Sequence, residues 1–343
     1  MFRVLIDIGH PGHVHLFKHL ARLLLADGAE VLFTLRRKEF EIELIEGEGF
    51  NYECFGPHYR SLPGKVWGLL RYDLAMIRTG LRFKPDLIIG HGSIIGAHAA
   101  PFVGAKCLAL EDTGNMEQVR LYRPFVDAIL TPQVLDKELG PKQVRYNSYH
   151  ELAYLHPEFY TPDPAILGWL GVAADEPYAI VRFVSWDATH DVRLKGLDRE
   201  EKIGLVRSLS QRMRVFITAE RAVTEELRPY CLRIPPNRFH HALNYASIVV
   251  TEGTTPGTEA GILGVPVVFV STFQDPNLRE MEGFGLVRNT SVAKDAFQAM
   301  EDMLAADRQV FRQRAADFVA TKENATRFYH RFIRERYMGK SRG

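Results

Sequence analysis

Thr251-Glu-Gly-Thr-Thr-Pro-Gly-Thr-Glu-Ala-Gly-Ile-Leu-Gly-Val-Pro-Val-Val-Phe-Val270 decides the fold. A short apolar strand over residues 248–251 gives way to small hydroxyl and glycine residues, then a short helix over 258–263. Gly-Val-Pro and a second strand over 265–270 follow. Small residues let a phosphate reach a helix N-terminus, where unpaired amides and the helix dipole favour negative charge. Glu259 falls on the first turn of that helix, where its carboxylate can accept hydrogen bonds from a ribose diol or simply complement the dipole.

The same alternation runs outward in both directions. Upstream, strands read at 178–184 and 215–218, with helices at 199–212 and 239–246. The first half shows strands at 4–8, 31–35, 52–55, 85–90, 107–110 and 128–130. Helices at 14–26, 38–48, 65–83 and 94–103 separate the first five of these. Alternation of this kind predicts parallel sheets with helices on both faces. His156-Pro-Glu-Phe-Tyr-Thr-Pro-Asp-Pro164 carries three prolines and reads as a stiff linker. The expected organisation is therefore a first domain over 1–156, a linker over 157–176, a second domain over 177–322 and a terminal helix over 323–343. Everything after residue 292 reads as helical.

The bulk composition agrees with two globular domains of about 150 residues each. The chain has 343 residues, 46% of them hydrophobic, with 43 basic against 42 acidic side chains. That balance argues against a surface built to grip nucleic acid. Cys54, Cys107 and Cys231 are far apart, without metal-ligand spacing, and read as thiols of a reducing cytoplasm with no metal site. The N-terminus reads as a strand rather than a signal peptide, and no apolar run is long enough to span a bilayer. The expected chain is soluble, or at most peripheral to a membrane.

Open parallel sheets bind ligands beyond the carboxyl ends of their strands, which directs attention to the loops after Ile8, Ile89, Val184, Thr218, Thr251 and Val270. Gly9-His-Pro-Gly-His-Val-His15 carries His10 and His13; His13, at the helix entrance, is the favoured general base, and capping or backbone hydrogen bonding is the alternative. The loop lacks GxGxxG, and no Gly-Lys-Ser/Thr occurs, so neither a dinucleotide fingerprint nor a P-loop is present. Gly90-His-Gly-Ser-Ile-Ile-Gly96 places His91 and Ser93 at a second cleft position. After residue 182, Arg182 can meet a phosphate, while Ser185, His190 and Asp191 face the same cleft or form an internal ion pair. Glu220 and His240-His241 complete the rim.

The Thr-Glu-Ala-Gly-Ile-Leu-Gly-Val-Pro segment resembles the nucleotide-binding signature of GT-B glycosyltransferases and of UDP-N-acetylglucosamine 2-epimerases. With Tyr146-Asn-Ser-Tyr-His-Glu-Leu-Ala-Tyr-Leu-His-Pro157, Trp186-Asp-Ala-Thr-His-Asp191 and Ile217-Thr-Ala-Glu220, it is similar to domain-of-unknown-function family 354 over nearly the whole chain. The resemblance implies a GT-B-like fold of two Rossmann-like, doubly wound domains facing a cleft, with the last helix crossing back to the first domain. It further implies that Thr254, Thr255 and Gly257 lie at the diphosphate, that Glu259 binds the ribose, and that His13 serves as base; Gly253 and the Thr258 amide complete the nucleotide-site candidates. Gly-Thr-Thr-Pro-Gly departs from relatives, which more often show a methionine-containing turn there.

The expected activity is transfer of a sugar from a nucleotide diphosphate donor to a glycan or lipid-linked acceptor in surface polysaccharide metabolism, without metal or cofactor. The rivals are an epimerase acting on the same donor, a nucleotide-sugar sensor without turnover, and a metal-dependent hydrolase. Two helices are rich in arginine beside apolar residues. The terminal one carries Arg327, Arg331, Arg334 and Arg336. The other, from Lys65 to Lys84, reads as an ordinary surface helix or as a contact with an anionic membrane.

Overall fold

The computed structural model describes residues 1–57, 59, 62–184, 196–219 and 223–339, apart from the side chains of residues 62, 63, 65 and 66. The chain forms two compact units, Met1–Phe159 with Glu323–Gly343, and Tyr160–Lys322.

The first unit is built on seven parallel strands: β1 Arg3–Ile8, β2 Glu30–Arg37, β3 Tyr52–Pro57, β4 Leu87–His91, β5 Lys106–Leu110, β6 Ala128–Pro132 and β7 Gln143–Tyr146. Their order is β3-β2-β1-β4-β5-β6-β7. Strands buried on both faces need continuous apolar runs, and Val4, Leu5, Ile6 and Ile8 of β1 are fully buried. The helix Pro11–Ala26 starts on a proline, which suits the first helical turn. It packs Val14, Phe17, Leu20, Ala21 and Leu24 inward at helical spacing. Gly28, at φ +81°, turns the chain into β2.

The helix Ala325–Ile333 belongs to this unit although it follows the second unit in sequence. Tyr329 and Tyr146 hydroxyls meet at 2.6 Å, Thr326 donates to the Ala153 carbonyl at 2.8 Å, and His330 Nε2 lies 2.8 Å from Asp27.

The second unit holds five parallel strands, β8 Tyr178–Phe183, β9 Arg214–Ala219, β10 Ile248–Thr251, β11 Val267–Val270 and β12 Val287–Thr290, in the order β12-β11-β10-β8-β9. In each sheet the chain builds outward on one side and then restarts on the other. The reversals fall between β1 and β4 in the first sheet and between β8 and β10 in the second. Ligands of such sheets bind at these switch points.

Three expectations change. The strands β7 and β12 lie at sheet edges and read Gln-Val-Arg-Tyr and Val-Arg-Asn-Thr, too polar to stand out as strands. The stretch expected as linker, 157–176, contains a helix, Ala165–Leu170, whose Ile166 and Leu170 are buried, and from Tyr160 onward it packs with the second unit. The helix expected at 258–263 is Thr254–Ile262, four residues earlier.

Candidate functional site

The first switch point carries a cluster of four histidines and one aspartate. Asp112, just beyond β5, accepts from His91 Nε2 at 2.8 Å through one oxygen and pairs with His150 Nδ1 at 3.0 Å through the other. The His13 ring lies 4.6 Å from that of His91, and His10 lies 5.9 Å from His13. Glu111 is buried and fixes the loop: it accepts from the Thr113 and Gly114 amides, both at 2.9 Å, and from the Tyr122 hydroxyl, also at 2.9 Å. Gly92, at φ +52°, has no room for a side chain, since a Cβ would stand 2.9 Å from Gln118 and 3.2 Å from Glu111. The ligand atoms of His91, Asp112 and His150 lie within 4.8 Å of one another, a grouping able to hold a cation. Here they are hydrogen-bonded to each other.

These groups differ in charge. Burial opposes the charged form of His91, but the Asp112 carboxylate outweighs it and pushes the His91 pKa up to about 9. Burial likewise acts to raise Asp112, yet His150 and His91 hold it well below the usual carboxylate range. His13 goes the other way. Burial first, then the charge of His91, keeps its pKa well below the ordinary imidazole value. The Gly9 amide donates to His13 Nδ1 at 3.2 Å, so the neutral ring carries its proton on Nε2. In this geometry His13 offers a hydrogen-bond donor, whereas the sequence points to it as the general base. His10 is the N-cap of the helix Pro11–Ala26, its Nδ1 accepting from the Gly12 amide at 3.1 Å. This is the capping arrangement named above as the alternative to catalysis.

Ser93 is also structural. Its hydroxyl caps the helix Ile94–Val103 by accepting from Gly96 N at 3.0 Å, and donates to Asp7 at 2.6 Å. Buried Asp7 also receives the Thr34 hydroxyl at 2.9 Å and the Arg36 guanidinium at 3.3 Å. This network locks the loop after β4 to β1 and β2.

The second switch point is made of backbone. The helix Thr254–Ile262 starts after Gly253 with no side-chain cap. The Gly253 amide is spent on Thr251 Oγ1 at 2.9 Å, and Pro256 has no N–H. The Thr254 and Thr255 amides therefore remain, without an acceptor among the described residues. Gly257 and Thr258 are buried inside this helix. A Cβ on Gly257 would stand 3.2 Å from Leu278, so that glycine serves packing. Because the helix begins at Thr254, Glu259 lies in its second turn, and its carboxylate meets His240 Nε2 at 2.9 Å in a buried pair. The Thr258 amide and the first-turn position of Glu259, both expected from the sequence, are corrected accordingly.

Arg182, next to last in β8, pairs in register with Thr251, and its carbonyl accepts from Glu252 N at 3.0 Å. Buried Glu252 accepts from Val184 N at 3.1 Å and Leu197 N at 2.9 Å, and pairs with Lys202 at 3.1 Å. Burial raises its pKa despite those partners. Ser185, His190, Asp191 and Glu220 lie outside the described residues.

Asp112, His150 and Glu252 were not singled out from the sequence. The signal for Asp112 was its position just past the carboxyl end of β5, where the loop Glu-Asp-Thr-Gly follows Leu110. His150 shows itself only as a histidine shortly after the last strand.

The model of the family described as "Protein of unknown function (DUF354)" matches residues 2–278. The chain belongs to that family. No curated protein matches this DUF354 chain. Among solved structures, it is similar to a UDP-GlcNAc 2-epimerase from Neisseria meningitidis bound to UDP-GlcNAc, with 13% identity over 99% of this chain and 100% of that one, and a TM-score of 0.72. It is also similar to S. aureus MnaA in complex with UDP, at 12% identity, 98% and 97% coverage and a TM-score of 0.70. Acinetobacter baumannii MurG follows at 16% identity, 97% and 99% coverage and a TM-score of 0.58. The DUF354 chain thus has the fold shared by these enzymes, the GT-B fold. Among the described residues, no helix is long and apolar enough to cross a membrane.

Proposed function

We propose that this chain is a cytoplasmic, metal-independent glycosyltransferase that moves a sugar from a nucleotide diphosphate donor to a glycan or lipid-linked acceptor, in surface polysaccharide metabolism. The observation that carries the reading is the pair of amides at Thr254 and Thr255, which have no acceptor among the described residues and stand at the switch point of the second sheet. Two convergent N–H groups on a helix N-terminus suit a diphosphate, in the bound donor and still more in the leaving group. Arg182 and the His240–Glu259 pair, which ends in the same region of the chain, are assigned to the nucleotide. The UDP and UDP-GlcNAc held by the S. aureus and Neisseria proteins are ligands of this class.

The first unit supplies proton transfer in this reading. His150 turns Nδ1 toward Asp112, and its Nε2 is buried without a hydrogen-bond partner among the described residues. An imidazole backed by a carboxylate is the usual arrangement for taking a hydroxyl proton. We assign that role to His150. The neighbouring His91, charged at neutral pH, and the neutral Nε2–H of His13 provide donors for an anionic or hydroxylated substrate.

One observation favours a second reading, epimerisation of the nucleotide sugar. A proton donor, His91, and a proton-accepting nitrogen, His150 Nε2, share one carboxylate, and inversion at a carbon needs both a donor and an acceptor. The two readings separate in deuterium oxide with the nucleotide sugar alone. An epimerase returns an isomer carrying solvent deuterium; a transferase leaves the sugar unchanged until an acceptor is added. Calorimetric titration of UDP, GDP, ADP, dTDP and CMP tests what the readings share. One diphosphate binds, and Glu259→Ala weakens it; binding by none refutes both.

A further inference from the structure

The helix Leu62–Phe83 carries an outer face that the first unit does not cover. Trp67, Leu70, Leu74 and Leu81 are 63%, 57%, 70% and 58% exposed. Their spacings of three, four and seven residues set them in one row along the helix. Arg71, Arg78 and Arg82, also exposed, form the adjacent row. The opposite side does the packing: Tyr72, Met76 and Thr79 are buried, and Gly80 lies so close to Val103 that a Cβ would stand 2.7 Å from it.

The helix's own exposed charges on this face have one sign. Asp73 is the helix's only acidic residue, and it is half-buried and turned to His98 Nδ1 at 3.0 Å. Arg71 donates to the Tyr59 hydroxyl at 2.8 Å, and Arg82 pairs with Glu53. Both guanidinium groups are thereby held beside the apolar row. A second copy of the chain would bring arginine to this arginine row. A surface of lipid phosphates over acyl chains answers both rows at once.

We propose that this face docks on an anionic lipid bilayer, with Trp67, Leu70, Leu74 and Leu81 sinking to the headgroup–acyl boundary and the arginines pairing with lipid phosphates. Docking does not depend on which sugar reaction the protein performs, and nucleotide binding is unaffected if it fails.

The test is co-sedimentation of the full chain with phosphatidylcholine vesicles and with vesicles of equal phosphatidylcholine and phosphatidylglycerol. The protein is expected to pellet with the anionic vesicles only, and less so as salt rises. Leu74→Glu abolishes binding, and Arg78→Ala weakens it about fivefold, the equivalent of about 1 kcal/mol per basic residue. Both sites are exposed, so both variants keep the parent melting temperature. The proposal is overturned if the anionic vesicles bind no better than the neutral ones, or if Leu74→Glu binds like the parent. It is equally overturned if the face proves to be a dimer contact, with Leu74→Glu dissociating a dimer seen in sedimentation equilibrium while the parent ignores vesicles.

Discussion

The two switch points share one topology and differ in material. At the first, between β1 and β4, the groups offered are side chains that titrate: His13, His91, His150 and Asp112. At the second, between β8 and β10, the anion is offered backbone amides whose donors keep their protons at any physiological pH, with Glu259, paired to His240, further along the same helix. In the proposed reading, proton movement and anion holding therefore reside on different units, and pH separates them.

The largest effect should come from Asp112. Removing it leaves a charged, largely buried His91 without its counter-ion. Loss of one partner from such a pair costs about 3 kcal/mol or more. Asp112→Ala is expected to lower the urea midpoint by a corresponding amount and return the His91 titration, followed by NMR, from about 9 toward 6.5. An unmoved His91 pKa would mean that another group charges it.

Next comes the pH dependence of stability. His91 binds its proton more tightly folded than unfolded, so its contribution, about 3 kcal/mol for a shift of this size, is complete below 6.5 and lost as pH rises toward 9. His13 has a depressed folded pKa, so its neutral burial costs stability as pH falls below 6.5. The cluster's contribution therefore peaks near 6.5 and falls on both sides. Denaturation midpoints from about pH 5 to about pH 9, which bracket the ordinary imidazole range, should show that peak, and Asp112→Ala should remove its alkaline limb. Nucleotide affinity should not follow this curve. If it does, the two switch points are coupled and the division proposed above fails.

A smaller effect belongs to the second unit. Thr254→Pro removes one of the two unspent amides at a position where proline is tolerated. A hydrogen bond to a charged group contributes about 1.5–3 kcal/mol, so diphosphate affinity should drop by about tenfold or more while the melting temperature holds. Unchanged affinity would move the anion away from this helix.

The first unit's strands were legible because β1, β4 and β5 are short apolar runs closed by glycine or a polar residue, which is how a strand covered on both faces must read. The sites were less legible for two reasons. His10, His13, His91 and Ser93 announce themselves as polar residues in glycine loops, but which nitrogen is spent on a backbone amide depends on loop geometry that spacing does not encode. Asp112 and His150 lie 38 positions apart and meet only because β5, β6 and β7 lie side by side. The start of the helix at Thr254 was misplaced for a local reason: Thr-Thr-Pro-Gly reads as a turn, whereas Pro256 sits within the first turn of a helix, where its missing N–H costs nothing.

His10 gives the smallest effect and the sharpest check on how histidines in such loops are read. Its Nδ1 accepts the Gly12 amide, one of the amides at the start of the helix Pro11–Ala26, and a lost side-chain cap costs about 0.5–2 kcal/mol. His10→Asn keeps an acceptor at that position, whereas His10→Ala does not. A capping role predicts that the alanine variant loses stability, that asparagine restores it, and that turnover follows the folded fraction in both. A chemical role predicts that both variants lose turnover alike, whatever their stability. The second pattern would move proton transfer back to the first loop and make the His91–Asp112–His150 group its electrostatic support.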